Sequence, residues 1–545
     1  MDIKIARIVH ELFGIDVDIK LTRPDPQFGD YSTNVAMQLA RPLGRAPRQI
    51  ADELAAKLRQ TGEFSAVDVA GPGFINFTLD NAVIVQAALH NNTITSTDAA
   101  KTVVIETNNP NPFKAMHIGH AFNAILADTI ANLLDVAQHH VYRVSYHGDV
   151  GLHVGKSMYS LLRYVDGDIE KLHAIPESER NTFMSKMYAD GSKAYKEDDA
   201  AKTEIDDLAR QSFEPTSAIY VQVYDLCKAW SFEQIDAIVA RLGNKPTVKR
   251  FLESDADMYG VRTVQSHTPG VFQESNGALV FEGSKYGSFD NAFVASNGRG
   301  LYAARDLGLM QLKNEQYHPQ KSYIVTAEEQ RDYFKGVIAA AELCLPELKD
   351  VTVNISTGTV KLATGKMSSR DGDVLEIGWL FEQFKLAIEA RGGTSDDAIA
   401  AGAMRYQFLK VRVGSDVVFD VNEAVSLTGN TGSYLQYAHA RARRILEKVN
   451  SEGAIDPKIL SGQERLLLSK IAEYGEVVER SSRELMPHHI CTYLFELAQE
   501  FNRFYEAHQV VGDEHELHRT AIVRVYADTL KNGLGILGIY APDEM

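Results

Sequence analysis

The sequence predicts an α/β protein in three parts: a small α/β domain, a parallel-sheet domain, and a helical C-terminal domain. Three observations predict it. Apolar runs of strand length alternate with helical periodicity through the middle of the 545-residue chain, which is the pattern of strand–helix–strand units around a parallel sheet. The last third keeps helical periodicity almost throughout. A chain of this length holds roughly two to four domains.

The elements follow in order. Residues 1–98 form the small domain. Its helix candidate around Ile50–Ala55 precedes alternating Val67 and Val69, then Gly71-Pro72-Gly73-Phe74-Ile75-Asn76-Phe77. The polar stretch Asn91–Thr97 reads as a linker. Residues 99–390 form the parallel-sheet domain, opened by the buried-strand run Thr102-Val103-Val104-Ile105. A helix follows, with Phe122, Ile125, Leu126, Ile130, Leu133 and Leu134 at helical spacing. A charged helical stretch at about 165–250 reads as an insertion. Residues 391–545 are helical. There Leu435, Ala438, Ala442, Ile445 and Val449 should face a core, with Arg441, Arg444 and Lys448 on another face.

Composition narrows the function classes. The hydrophobic fraction of 45% and charged fraction of 24% are those of a soluble globular chain. No apolar run reaches about eighteen residues, so no membrane span is expected, and Met1–Ile5 lacks a signal-peptide core. Cys227, Cys344 and Cys491 are scattered, without metal-ligand spacing or a disulfide framework, which suits a reducing cytoplasm. The net charge of −17 disfavours nonspecific nucleic-acid binding, but a local basic surface still permits a specific RNA partner.

Two motifs point to a nucleotide. His117-Ile118-Gly119-His120 stands at a strand-to-helix turn, where free N–H groups and the helix dipole attract phosphate. Far downstream, Lys366-Met367-Ser368-Ser369-Arg370 is a basic, hydroxyl-rich loop. Two phosphate-directed elements so far apart suggest two halves of one site. Either alone has a bland reading: capping or core histidines, and a solvated turn. Gly119 would let an adenine or ribose approach the backbone. The imidazoles can donate to phosphates as charge moves onto pyrophosphate, and Lys366 brings a point charge to the leaving group.

This pairing resembles the class I aminoacyl-tRNA synthetases, and the wider set of motifs resembles the arginyl-tRNA synthetases along nearly the whole chain. Phe28–Ala36 and Val69–Asn76 resemble that family's additional N-terminal domain. Glu106-Thr107-Asn108-Asn109-Pro110-Asn111-Pro112 and Lys114 precede the two histidines as they do in the family. Ser145–Gly151 resembles the next motif, Tyr302-Ala303-Ala304-Arg305-Asp306 the arginine-pocket helix, Gly432–Arg441 the start of the anticodon-binding domain, and Leu537–Met545 the family's C-terminus. Leu152 and His153 depart from its usual polar residue and Gln. Ser369 stands where most class I relatives carry a second lysine. In arginyl enzymes that share this loss, Lys114 is the expected compensation.

The resemblance implies a Rossmann-like catalytic domain (99–390) between a tRNA-binding domain (1–98) and a helical anticodon-binding bundle (391–545). It implies an arginine–tRNA ligase that makes arginyl-adenylate from ATP and L-arginine, usually with tRNA bound, and passes arginine to the terminal ribose of tRNA(Arg). Mg²⁺ is expected with ATP, with no dedicated carboxylate cage and no structural zinc. A monomer in the cytoplasm is expected, with no membrane partner. His117, His120, Lys114 and Lys366 are the expected catalytic residues. Gly119, Met367, Ser368 and Ser369 join His117, His120 and Lys366 in binding ATP. Glu106, Asn109, Asn111, Tyr302, Asp306 and Gln330 are expected around arginine.

Residue chemistry supports parts of this. Tyr302 and Asp306 lie four apart, on one helix face. A carboxylate can accept two parallel hydrogen bonds from a guanidinium, and a tyrosine face can stack on it. The bland alternative is a core Tyr and an Asp paired to a neighbouring Arg. Glu106 is a second carboxylate candidate and Glu253 a third. Arg441, Arg443 and Arg444 are either a solvated helix face or an RNA contact, with Arg441 and Arg444 the candidates for tRNA. Phe501, Phe504 and Tyr505 are core residues, of which an exposed member could stack on a base. Two other readings remain: a small-molecule adenylyltransferase, which leaves the flanking domains unexplained, and a noncatalytic RNA-binding paralogue, which should have lost pieces of the ATP site.

Overall fold

The computed structural model describes residues 1–91, 99–363, 375–394, 396–449 and 453–545, without the side chains of 362 and 419. Most of the expected linker and all of Lys366–Arg370 lie outside the described residues. The chain forms two units. One is Met1–Thr93 with Arg441–Val477 and Phe495–Leu530; the other is Ile94–Ala440 with Val478–Leu494 and Lys531–Met545.

The first unit begins with α1 (Asp2–Phe13), β1 (Leu21–Thr22), β2 (Tyr31–Thr33), α2 (Val35–Leu43), α3 (Pro47–Arg59), β3 (Phe64–Ala70), β4 (Phe74–Leu79) and α4 (Asn81–Leu89). The strands pair antiparallel in the order β1-β2-β4-β3. Pro47 starts α3, where its missing N–H is harmless. Ile50, Leu54 and Leu58, on one face of α3, join Ile75, Phe77 and Val67 in the core. The domain is tied to helices from the far end of the chain. Arg465 holds Asp30 at 2.8 Å and also bonds Leu79 O and Asn81. Asn91 donates to Ile471 O and Thr529 Oγ1.

The second unit is built on β5 (Thr102–Glu106), β6 (His140–His147), β7 (Lys249–Leu252), and two later strands, β11 (Lys321–Ala327) and β12 (Thr352–Thr357). These pair parallel in the order β12-β11-β5-β6-β7. The order reverses between β5 and β11. In open parallel sheets, ligands bind outside the strand C-termini at such a switch point. Helix α5 (Ile118–Val136) connects β5 to β6 and is buried on nearly every side.

Helices α6 (Leu152–Val165), α7 (Glu170–His173), α8 (Glu177–Glu197), α9 (Asp199–Gln211) and α10 (Ala218–Arg241) occupy the segment between β6 and β7. After α11 (Glu253–Ser266) comes a departure from simple alternation: β8 (Phe272–Ser275), β9 (Ala278–Phe281) and β10 (Asn291–Val294) form a separate antiparallel sheet. Phe272, Phe281 and Phe293 anchor it on α12 (Tyr302–Tyr317) and α13 (Arg331–Cys344). A second departure is β13 (Val360–Leu362), which pairs parallel with β14 (Val417–Phe419), a strand inside the region read as helical.

Helices α14 (Ile377–Glu389), α15 (Asp397–Leu409) and α16 (Val421–Ala424) lead to the C-terminal helices α17 (Gly432–Glu447), α18 (Gly462–Ala472), α19 (Tyr474–Glu484), α20 (His488–Ala507) and α21 (Glu516–Ile536). Leu435, Ala438, Ala442, Ile445 and Val449 are buried, as their spacing predicts. Arg405 of α15 is fully buried and pairs with Asp128 of α5 at 2.9 Å. It also donates to Leu242 O and Leu537 O, so the end of the chain is fastened beside α5.

Candidate active site at the sheet switch point

The turn after β5 places His117 as the N-cap of α5. The Gly119 N–H donates to His117 Nδ1 at 3.2 Å, and the His117 N–H donates to His120 Nδ1 at 3.3 Å. A nitrogen that accepts carries no proton, so each neutral ring is an Nε2–H tautomer with its donor edge free. The rings stack with centroids 3.7 Å apart. Burial, then the nearby Lys114 charge, lowers His117 to about 4. Burial, then the His117 and Lys114 charges, lowers His120 to about 3. Both are neutral donors at pH 7. A Cβ on Gly119 would sit 3.1 Å from His117 Cε1. Gly119 therefore makes room first for the imidazole of His117. Lys114 is exposed.

Lys366, Met367, Ser368 and Ser369 lie outside the described residues. The chain just beyond them is fixed beside the histidines. Ile118 N–H donates to Leu375 O at 3.0 Å, and Ile377 N–H to Met116 O at 3.1 Å. On the other side, Thr357, at the end of β12, bonds Asn123 of α5 at 2.8 Å.

A cavity of about 270 Å³ opens at the switch point. Its lining includes Glu106, Asn109, Asn111, His120, Asp306 and Gln330, so six of the sequence-predicted residues meet there. Asn109 donates to Glu106 Oε2 at 2.7 Å and accepts from Tyr146 N–H. Asn111 accepts from Gly148 N–H. Tyr302 is different: its side chain is 62% exposed and does not line the cavity.

The three carboxylate candidates differ in their partners. Glu106 is held by Lys313 at 2.6 Å, both buried. Glu253 is held by Arg305 at 2.9 Å, and Arg305 also takes Asp257 and Gly300 O. Asp306 has no cationic partner among the described residues. It accepts from the Tyr333 hydroxyl at 2.6 Å. Burial above all, with the like charges of Glu253 and Glu106, raises Asp306 to about 7. Sequence reasoning missed Tyr333 and Lys313; Tyr146 falls within the Ser145–Gly151 motif but is given no role there. For Tyr333 the available signal was its position three residues after Gln330, at the start of α13.

Comparison with known proteins follows the same outline. Residues 83–391 match the family described as the catalytic domain of class I tRNA synthetases (R). Residues 2–79 match the arginyl tRNA synthetase N-terminal domain, and 435–545 the DALR anticodon binding domain. The chain belongs to the arginyl-tRNA synthetase family. It is 30% identical to the arginine–tRNA ligase of a Synechococcus species, over 96% of this chain and 94% of that one. It is 30% identical to that of Limosilactobacillus fermentum, over 99% and 98%. The Thermus thermophilus arginyl-tRNA synthetase structure shares the fold, with a TM-score of 0.81 at 24% identity over 100% of this chain and 99% of that one. As in the rest of the arginyl-tRNA synthetase family, the activity is ATP-dependent arginine–tRNA ligation.

Of the two family departures, one has a plain structural role. His153 Nε2 bonds Gly148 O at 2.7 Å, and burial above all lowers its pKa to about 4; Leu152 is exposed. In the anticodon-binding domain, Arg441 lies 4.1 Å above the Tyr505 ring and donates to Asn502. Arg444 is exposed, while Phe501 and Phe504 are fully buried. Lys448, Tyr505 and His508 line a second cavity of about 410 Å³.

Proposed function

We propose that the switch-point cavity holds L-arginine with its guanidinium on Asp306, and that ATP lies across the N-terminus of α5. The single observation that carries this reading is that Asp306 is the cavity carboxylate with no ion-pair partner among the described residues. A guanidinium supplies parallel donors to it. Asn109, Asn111 and Gln330 line the same cavity and offer neutral polar groups to the substrate's other end.

His117 and His120 present Nε2–H donors to the triphosphate, strengthening as charge develops on the leaving pyrophosphate. Lys114 and Lys366 add positive charge. The arginine carboxylate attacks the α-phosphate and pyrophosphate departs; the terminal ribose 2′-hydroxyl of tRNA then attacks the activated carbonyl and AMP departs as the acyl–phosphate bond breaks. No side chain needs to act as a nucleophile; positioning and charge stabilisation suffice.

Mg²⁺ would travel on the ATP phosphates. Among the described residues no group of three His, Cys, Asp or Glu side chains is arranged to hold a metal. Residues 1–98 and 391–545 are assigned to tRNA, with Arg441 and Arg444 on the contact face. The enzyme is assigned as a monomer of the cytoplasm; no described helix is long and apolar enough to cross a membrane. The test is ATP–pyrophosphate exchange, with arginine, with and without tRNA. Exchange dependent on arginine and stimulated by tRNA is expected. Exchange with another carboxylic acid but not arginine would overturn the assignment.

A further inference from the structure

The Asp306 carboxylate sits at the end of a torsion that is broad and roughly two-fold, so its plane needs fixing from outside. A fork-on-fork contact with a guanidinium requires both oxygens in the guanidinium plane. The group that can set this plane is the hydroxyl of Tyr333, which donates to Oδ2 at 2.6 Å. Tyr333 comes from the first turn of α13, which follows β11 in the chain. Its ring packs edge-on against Phe334, with centroids 5.1 Å apart, and Phe334 is itself core. The hydroxyl is therefore carried on an anchored ring.

We propose that Tyr333 is the positioning residue of the guanidinium pocket, fixing the Asp306 carboxylate so that Oδ1 and the second lone pair of Oδ2 meet the substrate fork. This rests on the assignment of Asp306 to the guanidinium. The other groups facing Asp306 are Glu253 from α11, Glu106 from β5, and Lys313 on its own helix. The buried Tyr146 hydroxyl of β6, which has no hydrogen-bond partner among the described residues, lies in the same field. Of these, Tyr333 and Lys313 favour the charged carboxylate, while Glu253 and Glu106 oppose it. Tyr333 is the one that bonds to it directly.

The substitution Tyr333→Phe keeps the ring and its packing and removes only the donor. Losing a hydrogen bond to a charged group is worth about tenfold or more in binding. We expect KM for arginine to rise about tenfold, with kcat and KM for ATP changed much less. The acid limb of kcat/KM for arginine should move to higher pH, because the donor holds the carboxylate pKa down and its removal lets the pKa rise. In an Asp306→Asn background, Tyr333→Phe should add less than about a twofold effect, since the two act as a unit. If Asp306→Asn leaves arginine-over-citrulline discrimination unchanged, the guanidinium assignment fails and the positioning role fails with it. If Asp306→Asn abolishes discrimination but Tyr333→Phe moves neither KM nor the acid limb, the positioning role alone is overturned. An equal KM rise in both backgrounds, with no shift of the limb, would show a packing effect and also overturn it.

Discussion

The ammonium of Lys313 lies 2.6 Å from Glu106 Oε1, with both side chains cut off from solvent. This pair neutralises Glu106 inside the protein, whereas Asp306, two helical turns before Lys313, has no ion-pair partner among the described residues. Removing one partner of a buried pair strands the other charge. Lys313→Met should cost about 3–5 kcal/mol of stability, measured by urea denaturation. Lys313→Met with Glu106→Gln should recover most of it. A single variant as stable as wild type would show that the pair is dispensable.

Asp306→Asn keeps the side-chain shape, removes the charge and turns one acceptor into a donor. The guanidinium offers only donors, so one contact becomes a donor–donor clash. Arginine binding should fall by a few hundredfold or more, equivalent to about 3–5 kcal/mol. Citrulline carries a carbonyl there and should lose less. The ratio of kcat/KM for the two amino acids is the measurement, and it should shrink.

His120→Ala should lower turnover at saturating ATP more than it raises KM for ATP, because the donor acts chiefly on developing charge. Normal turnover with only a raised KM would assign the ring to ground-state binding.

Lys114→Ala should impair adenylate formation. Its charge helps lower the pKa of His117, His120 and His153, so its field reaches both histidines at the start of α5. Ser369→Lys should return part of the lost activity in that background. Full activity of Lys114→Ala would remove the compensation argument.

Stability should fall as pH drops below about 6.5. His117, His147 and His153 are lowered to about 4 and His120 to about 3, each chiefly by burial. Between those values and 6.5 the unfolded chain binds more protons, so acid favours unfolding. His153→Gln can still donate to Gly148 O and should flatten the melting-temperature slope between pH 7 and pH 4. Asp306 acts with the opposite sign. Its pKa is raised to about 7, so in the absence of arginine its contribution weakens as pH rises from about 4 through 7.

Much of the scaffold was legible because its signals are local. The strand Thr102–Glu106, the two-histidine turn and the face of α17 all show in short-range spacing. The sheet of β8, β9 and β10 was not, because its phenylalanines find their partners on α12 and α13. The site was legible as a collection of residues but not as a circuit. Asp306, Glu106 and Glu253 could be named from sequence. Which of them is unpaired depends on Lys313, 207 residues from Glu106, and on Arg305, 52 residues from Glu253. Tyr302, four residues before Asp306, shares its helix face yet points its ring to solvent, because burial of one side chain does not oblige its neighbour a turn away.

The bond between Asp30 and Arg465 spans 435 residues. It sets a timetable for the molecule's birth. The N-terminal domain has its own core and can fold as it leaves the ribosome, but the arginine that caps Asp30 is made roughly 20–90 s later at ordinary elongation rates. Through that interval the carboxylate of Asp30 and the amide of Asn91 must stay hydrated, and the surface around them stays open to other chains. Docking onto the helices that carry Arg465 and Thr529 must therefore wait until those helices are made.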